Sequence, residues 1–215
     1  MKLYDSHLSP FSSRVRIVLY AKNLPHEQLK PPGGTGSPEY KAINPTGKVP
    51  ALVHDGRVLP ESGVICEYLE DLHPSPALRP ADARQRADMR VLAAMPDLYL
   101  MPEVFPLLRN LSRKGRDEGA VAAALASVAS GFDRLEQFLV ADPHAAGGEF
   151  TLADASVVPS THFITRVLAR FDAPAPAAAR PKLARVMEAA AKNAAAVRVL
   201  GEMTAALDER IPLPR

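Results

Sequence analysis

Residues 44–62 read N-P-T-G-K-V-P-A-L-V-H-D-G-R-V-L-P-E-S, and this stretch decides the fold of the chain around it. Two short apolar runs, Val49 to Val53 and Val58 to Pro60, flank the turn dipeptide Asp55-Gly56. Apolar runs joined by such a dipeptide predict an antiparallel hairpin. Ser62 follows at once and predicts the N-cap of a helix.

The residues before this stretch alternate between strand and helix patterns. Lys2 to Asp5 predicts a strand, and Ser9-Pro10 predicts the start of a helix that ends near Lys22-Asn23. His26 to Lys30 predicts a second strand, and Ser37 to Ile43 a short helix. The resulting order, β-α-β-α-β-β-α, is typical of a small α/β, thioredoxin-like domain with a mixed sheet between helices.

The residues after the hairpin and its helix predict an all-α bundle. Three prolines between His73 and Pro80 indicate a linker at about 74–82, which divides the chain into domains 1–76 and 82–215. Thr151 and Asp154 match a capping box, so we interpret Asp154 as a helix-capping residue and not as a catalytic one. The predicted helices are a kinked segment from Arg84 to Arg113, 118–140, one starting at Thr151, 181–191 and 194–207.

Composition excludes several classes of function. The formal net charge is +2, with eight basic and eight acidic residues up to residue 76 and eighteen against sixteen after it, and neither part carries the one-sided charge of a nucleic-acid-binding protein. A single cysteine, Cys66, excludes an intramolecular disulfide framework, and six scattered histidines lack metal-ligand spacing. The cysteine count and the histidine spacing therefore predict a protein without a metal. There is no run of eighteen apolar residues and no apolar signal region, so we also expect a cytoplasmic protein without a membrane segment.

Four segments together resemble the cytosolic glutathione S-transferases, over essentially the whole chain. They are N-P-T-G-K-V-P-A-L at 44–52, E-S at 61–62, T-L-A-D-A-S at 151–156 and S-P-F-S-S-R-V-R-I-V-L at 9–19. The last segment is most similar to the serine-type tau, zeta and omega-like branches. The resemblance implies glutathione as co-substrate, no metal, and a two-fold homodimer.

The resemblance also implies a glutathione-binding site in the first domain. Pro50 is expected to be a cis-proline that turns the backbone of Val49 towards the cysteinyl unit of the tripeptide. Glu61 and Ser62, at a strand end and helix start, are expected to bind the ammonium and carboxylate groups of the γ-glutamyl end. Lys48 is expected to bind the glycyl carboxylate. Many relatives also have a basic residue in the loop at 33–37, and because this chain has none there, we expect weaker binding of the glycyl end.

The resemblance places the catalytic hydroxyl at Ser9, which would stabilise the glutathione thiolate. Ser12 and Ser13 are alternatives in the same turn, and Arg14 is expected to be solvated. The omega-like branch has a cysteine at this position, and because Ser9 cannot form a mixed disulfide, a thioltransferase is disfavoured. Cys66 is expected to be a small buried hydrophobic residue.

The leading hypothesis is a glutathione transferase that conjugates the thiolate to an electrophilic, largely apolar small molecule. Its second-substrate pocket is expected between the domains, against Leu8, Phe11, Met95, Tyr99 and Val104. Two alternatives remain open. One is a glutathione-dependent cis-trans isomerase of the zeta, maleylacetoacetate isomerase-like type, whose diacid substrate calls for arginines in the cleft. The other is a binding protein that keeps the fold without catalysis.

Overall fold

A four-stranded mixed sheet with three helices forms the first part of the chain. The computed structural model describes residues 1–112 and 114–212. The strands are β1 (Lys2–Tyr4), β2 (Glu27–Leu29), β3 (Ala51–His54) and β4 (Arg57–Pro60), in the spatial order β2-β1-β3-β4. Only the β1–β2 pair is parallel. The helices are α1 (Pro10–Ala21), α2 (Pro38–Lys41) and α3 (Ser62–Leu72), so the predicted order of seven elements is confirmed.

The rest of the described chain is helical, as predicted. Helix α7 is almost wholly buried and packs against α1 of the first part and against α4. The predicted kinked segment ends earlier than expected, and Arg113, its predicted last residue, lies outside the described residues. The elements are α4 (Ala83–Met95), a π-helical turn (Pro96–Leu100), α5 (Met101–Arg109), α6 (Glu118–Phe138), α7 (Leu152–Ala169), a 3₁₀ turn (Pro176–Ala179), α8 (Pro181–Ala190) and α9 (Ala194–Arg210).

Helix α1 begins where the sequence predicts. Ser9 is its N-cap in an extended conformation, and Pro10 occupies the first helical position. The Ser9 hydroxyl oxygen accepts a hydrogen bond of 3.2 Å from the backbone N–H of Ser12. This bond satisfies one of the N–H groups that a helix start leaves without an intrahelical partner.

The start of α3 corrects the prediction that Ser62 is the N-cap. Glu61 occupies the N-cap position, and Ser62 is the first helical residue. No side chain caps this end, because Glu61 adopts an unusual backbone conformation, with φ of +68° and ψ of 108°. The first backbone N–H groups of α3 therefore have no side-chain cap and are available to a ligand.

A buried lysine fixes the segment that connects α3 to the helical part. Lys22 Nζ lies 2.7 Å from Glu70 Oε2 and donates to the backbone carbonyls of His73 and Pro76, at 2.7 and 2.6 Å. The Glu70 carboxylate also accepts from the backbone N–H of Leu78. One buried ion pair therefore ties α1 and α3 to the connecting segment.

The segment from α4 to α5 bends at a π-helical turn. Pro96 cannot donate to the helix ladder, and the N–H of Met101 bonds to the carbonyl of Pro96, five residues back. By length and composition Ala83–Arg109 could cross a membrane. Here it is bent, and its two helices pack on α6 and α7.

The predicted capping box at the start of α7 is confirmed. Asp154 Oδ2 accepts from the backbone N–H of Thr151 at 2.9 Å and from its hydroxyl at 3.1 Å. Its other oxygen accepts from the backbone N–H of Ala145 at 2.8 Å. Asp154 is fully buried, so it holds both the helix start and the preceding loop.

We predict that Asp154→Ala lowers the free energy of unfolding by about 2–5 kcal/mol, because buried N–H groups of Thr151 and Ala145 lose their acceptor. Asp88→Ala, at an exposed position on α4, should change it by less than about 0.5 kcal/mol. Urea unfolding of both variants measures the difference. Equal midpoints for the two variants would show that the capping network adds no stability.

Candidate functional site

The loop before β3 holds the backbone of Val49 in a fixed position. Val49-Pro50 is a cis peptide bond, as the resemblance implied. The carbonyl of Lys48 accepts hydrogen bonds from the Tyr40 hydroxyl at 2.9 Å and from Asn44 Nδ2 at 2.8 Å. Because the ladder with β1 starts only at Ala51, the backbone groups of Val49 lie outside it and can pair with an extended ligand.

Glu61 and Ser62 lie where β4 ends and α3 begins. Residues with a side chain seldom adopt the positive φ of Glu61, and such conformations cluster at functional sites. The helix N-terminus carries partial positive charge and exposed N–H groups, which favour an anion. The Glu61 carboxylate adds a group of the opposite sign, so the two residues suit a ligand with a carboxylate beside an ammonium.

Of the three serines at the start of α1, only Ser9 is partly exposed. Ser12 and Ser13 are both fully buried, and the Ser13 hydroxyl accepts from Arg16 at 2.8 Å. Ser9 uses its oxygen as acceptor for the helix cap, which leaves its hydroxyl hydrogen free to donate. The geometry therefore favours Ser9 over Ser12 and Ser13 as the hydroxyl that meets a ligand.

A cleft of about 660 Å³ lies between the first part of the chain and the bent α4–α5 segment. Six residues predicted from the sequence line it together: Phe11, Lys48, Val49, Pro50, Glu61 and Ser62. Nine further lining residues were not predicted: Thr35, Gly36, Lys41, Thr46, Gly47, Asp97, Met101, Pro102 and Phe105. The backbone of Val49 and the uncapped start of α3 thus open into one cavity.

Leu8 and Ser9 do not line this cleft. Leu8 lines a neighbouring cleft of about 780 Å³, between the loop after β1, strand β2 and the end of α9. Thr35 lines both clefts, so they adjoin at this residue. Ser9 lies in the chain between Leu8 of one cleft and Phe11 of the other.

The structure corrects the predicted wall of the second-substrate pocket. Met95 and Val104 are buried in the hydrophobic core, and the Tyr99 ring lies 5.3 Å from the guanidinium of Arg134. None of these three lines the cleft. Phe11 does line it, as predicted, together with Met101, Pro102 and Phe105, which were not predicted. The π-helical turn explains the difference. Its hydrogen bond spans five residues where an α-helix spans four, so the residues after the turn are rotated about the helix axis and a different set faces the cleft.

Arg14 is buried and paired with an acid of the helical part, which corrects the expectation that it is solvated. Its Nη1 and Nη2 donate to the two carboxylate oxygens of Asp97, at 2.8 and 2.6 Å. The guanidinium also lies 5.7 Å from the centre of the Phe11 ring. Sequence spacing gave no signal for this pair, since the partners are 83 positions apart.

Charges of both signs line the cleft and come from different elements. Lys41 and Lys48 come from α2 and the loop before β3, whereas Glu61 and Asp97 come from the start of α3 and the π-helical turn. A ligand with a carboxylate at one end and an ammonium at the other matches this distribution. Lys41 also supplies a cation that the basic-poor loop at 33–37 lacks.

The structure gives no reactive role to the only cysteine. Cys66 is buried on α3, and burial raises the pKa of its thiol to about 12. Its position in the core agrees with the sequence expectation. Within residues 1–112 and 114–212, no group of three or more histidine, cysteine, aspartate or glutamate side chains is arranged to hold a metal.

Comparison with known proteins identifies the same architecture. The N-terminal domain of glutathione S-transferases matches residues 3–77, and the C-terminal domain matches residues 118–189. Maleylacetoacetate isomerase of Pseudomonas aeruginosa is 35% identical over 203 residues, 91% of this chain and 93% of that protein.

Two solved structures extend the comparison to bound ligands. The holo structure of maleyl pyruvate isomerase, a bacterial glutathione S-transferase in the zeta class, is 34% identical with a TM-score of 0.77 and covers 93% of this chain and 96% of its own. Maleylacetoacetate isomerase from Methylobacterium extorquens AM1, with bound malonate and GSH, is 26% identical with a TM-score of 0.75 and covers 94% and 97%.

We predict that Glu61→Gln and Glu61→Gly both weaken glutathione binding by about tenfold. Each variant removes the carboxylate that is expected to bind the γ-glutamyl ammonium of glutathione through a charge-assisted contact. Only Glu61→Gly should also raise the free energy of unfolding, by about 1 kcal/mol, since glycine adopts a positive φ without strain. Calorimetric titration and urea unfolding measure the two effects. Unchanged glutathione affinity in Glu61→Gln would remove the role assigned to this carboxylate.

Proposed function

Because the chain belongs to the glutathione S-transferase family and is thus a glutathione-dependent enzyme, we propose that it is a cis-trans isomerase of the zeta type. The observation that carries this proposal is the isomerase name of relatives that match nearly the whole chain. The isomerase proposal replaces conjugation, which was the leading hypothesis from the sequence. The substrate would be a cis alkene activated by an adjacent carbonyl group.

Glutathione would lie across the cleft in the orientation that its charges favour. Its glycyl carboxylate would meet Lys48 and Lys41, and its cysteinyl backbone would pair with Val49. Its γ-glutamyl carboxylate would meet the uncapped N-terminus of α3 at Ser62, with Glu61 beside its ammonium. This orientation would direct the thiol towards the start of α1.

Ser9 would then stabilise the thiolate by donating its hydroxyl hydrogen. With an unperturbed pKa of about 8.5, only about 3% of a thiol is ionised at pH 7. Lowering that pKa by about two units requires about 2.7 kcal/mol. A charge-assisted hydrogen bond contributes about 1.5–3 kcal/mol and the dipole of α1 about 0.3–1 kcal/mol, so one hydroxyl at this helix start is sufficient.

Isomerisation needs reversible addition of that thiolate. The sulfur adds to one carbon of the cis double bond, and the electron pair moves onto the conjugated carbonyl oxygen as an enolate. The remaining carbon–carbon single bond rotates, the enolate collapses, and the thiolate leaves with the double bond now trans. Glutathione is regenerated in each turnover, and no net proton transfer or redox change occurs.

Conjugation to an apolar electrophile is the second candidate, and the cleft wall favours it. Phe11, Met101, Pro102 and Phe105 are apolar, and among the described lining residues the cations are lysines, with no arginine for a diacid. Conjugation shares the first bond-forming step with isomerisation. It differs in that the thioether is released as product and glutathione is consumed.

A homodimer remains a prediction for this chain. Several large apolar side chains are exposed on α3, on α4 and on the π-helical turn: Val64, Leu72, Val91 and Leu98. A surface that binds another protein requires that such residues form a contiguous apolar patch. A cytoplasmic location likewise remains an expectation.

Sub-stoichiometric glutathione separates the two reactions. We predict that the protein converts an excess of a maleyl ester analogue to its trans isomer with one-tenth of an equivalent of glutathione, because isomerisation regenerates the thiol. Proton NMR of the vinyl hydrogens follows the product, and mass spectrometry detects any thioether. Turnover that stops when glutathione is exhausted, with a thioether as product, would overturn the isomerase proposal in favour of conjugation.

A further inference from the structure

A cavity of about 280 Å³ lies within the helical part and shares no lining residue with the glutathione cleft or the cleft beside it. Its lining comes from the loop before α7, from α8 and from the turn that leads into α9. Three of the lining side chains are basic, His144, Arg185 and Lys192, and one is acidic, Glu188. The reactions proposed for the glutathione cleft use none of them.

The imidazole of His144 is held with one nitrogen against a buried carboxylate. Its Nδ1 lies 3.6 Å from Asp154 Oδ1, and the ring packs edge-on against Phe150, with 5.7 Å between the ring centres. The backbone N–H of His144 donates to the carbonyl of Gly147 at 2.9 Å, which holds the loop closed. Because Nδ1 is buried, the side of the ring that carries Nε2 faces the cavity.

The Asp154 carboxylate favours the protonated form of this imidazole. It raises the pKa of His144 above the ordinary value of 6.5, against the opposing effect of burial, and Glu149 of the same loop adds to the rise. The charged groups that face the ring across the cavity are Arg185, Glu188 and Lys192. The lining therefore carries one net positive charge when His144 is neutral and two when it is protonated.

The two other cations of the cavity are free to bind a ligand. Arg185 and Lys192 are exposed, and within residues 1–112 and 114–212 neither forms an ion pair. Three other arginines of the helical part each pair with an acid: Arg166 with Asp208, Arg180 with Asp133 and Arg198 with Glu202. A guanidinium and an ammonium without a partner can each donate charge-assisted hydrogen bonds to an anion between them.

The start of α9 adds charge of the same sign. Asn193, its N-cap, lines the cavity and accepts from the backbone N–H of Ala196 at 3.0 Å. The N-terminus of this helix of 17 residues carries partial positive charge. The helix start therefore supports an anion whose main partners are the three basic side chains.

We propose that this cavity binds an oxyanion with two negative charges, of the sulfate or phosphoryl type, between His144, Arg185 and Lys192. The His144 imidazolium donates to the anion from Nε2 while Nδ1 stays against Asp154. The volume is several times the roughly 30 Å³ share of one water molecule, so a tetrahedral anion fits. Because Asp154 also caps α7, the ligand is connected to the capping network of that helix.

Sulfate is the probe, because its charge stays constant over the pH range in which a histidine titrates. In NMR titrations at constant ionic strength and about pH 6, we expect saturable shifts of the His144 and Lys192 amide signals at millimolar sulfate. Since the pKa of His144 is raised, its charge is present at low pH and is lost as the pH rises through that pKa. The affinity at about pH 9 should therefore be about tenfold lower.

Two outcomes with the wild-type protein would overturn the proposal. One is the absence of saturable shifts at these two amides, and the other is equally tight binding of acetate, which would indicate a response to any anion. The pKa of His144, followed through its ring Cε1–H signal, should rise further when sulfate is bound. An unchanged pKa would also overturn it, and this measurement needs no variant.

Three variants assign the residues. His144→Gln should lower the sulfate affinity at about pH 6 to its value at about pH 9 and abolish the pH dependence. Arg185→Gln, at an exposed position, should weaken binding about tenfold at both pH values and keep the pH dependence. Arg84→Gln is the matched control, since it removes the same charge from an exposed position on α4 and should leave the affinity unchanged.

The variants separate this site from the glutathione cleft. Glutathione affinity should be the same in all three variants and in the wild-type protein, because the two cavities share no lining residue. An unaltered pH dependence in His144→Gln would overturn the proposal. So would a loss of sulfate affinity in Arg84→Gln as large as that in Arg185→Gln, because it would assign the effect to net charge alone.

Discussion

The bidentate ion pair between Arg14 and Asp97 connects two sides of the candidate site, the start of α1 and the bent segment between α4 and α5. Arg14 is on the second turn of α1, five residues after Ser9, and Asp97 is in the bent segment that contributes to the wall of the cleft. Breaking a buried pair by removing one partner is costly, since the other charge stays buried without compensation. The pair therefore fixes the start of α1 relative to the helical part, and with it the geometry of the cleft between them.

Local signals predicted most of the secondary structure because short-range chemistry determines it. Ser9-Pro10, the Asp55-Gly56 turn and the box formed by Thr151 and Asp154 each act within a few residues, and each lies where the sequence places it. The start of α3 is the exception. Ser62 matches an N-cap in type, but the positive φ of Glu61 places that residue at the cap and moves Ser62 into the helix.

Long-range features were not predictable from spacing. The π-helical turn changes the helix face, so Phe105 and the otherwise buried Met101 line the cleft, whereas Met95 and Val104 do not. No periodicity of 3.6 residues anticipates that shift. The burial of Arg14 was not predictable either, because its partner Asp97 is on another element and an arginine near a helix start is usually solvated.

The resemblance and the physical chemistry of the cleft agree on glutathione and differ on the second substrate. Lys48, Val49 and Glu61, expected to bind the tripeptide, all line one cavity whose charges suit its two ends. The wall beyond them is apolar, whereas two of the relatives are named isomerases of maleylacetoacetate and maleylpyruvate. Both chemistries begin with the same nucleophile, so the activation of the thiol is the common requirement.

Thiolate formation at Ser9 is therefore the central claim, and the ultraviolet absorbance of the thiolate measures it directly. Titrating enzyme-bound glutathione with pH should give a thiol pKa about two units below the unperturbed value of about 8.5 in the wild-type protein. In Ser9→Ala, with glutathione still bound, the pKa should return towards about 8.5. A lowered pKa that persists in Ser9→Ala would contradict the role of Ser9, and an unshifted pKa in the wild-type protein would contradict the whole account.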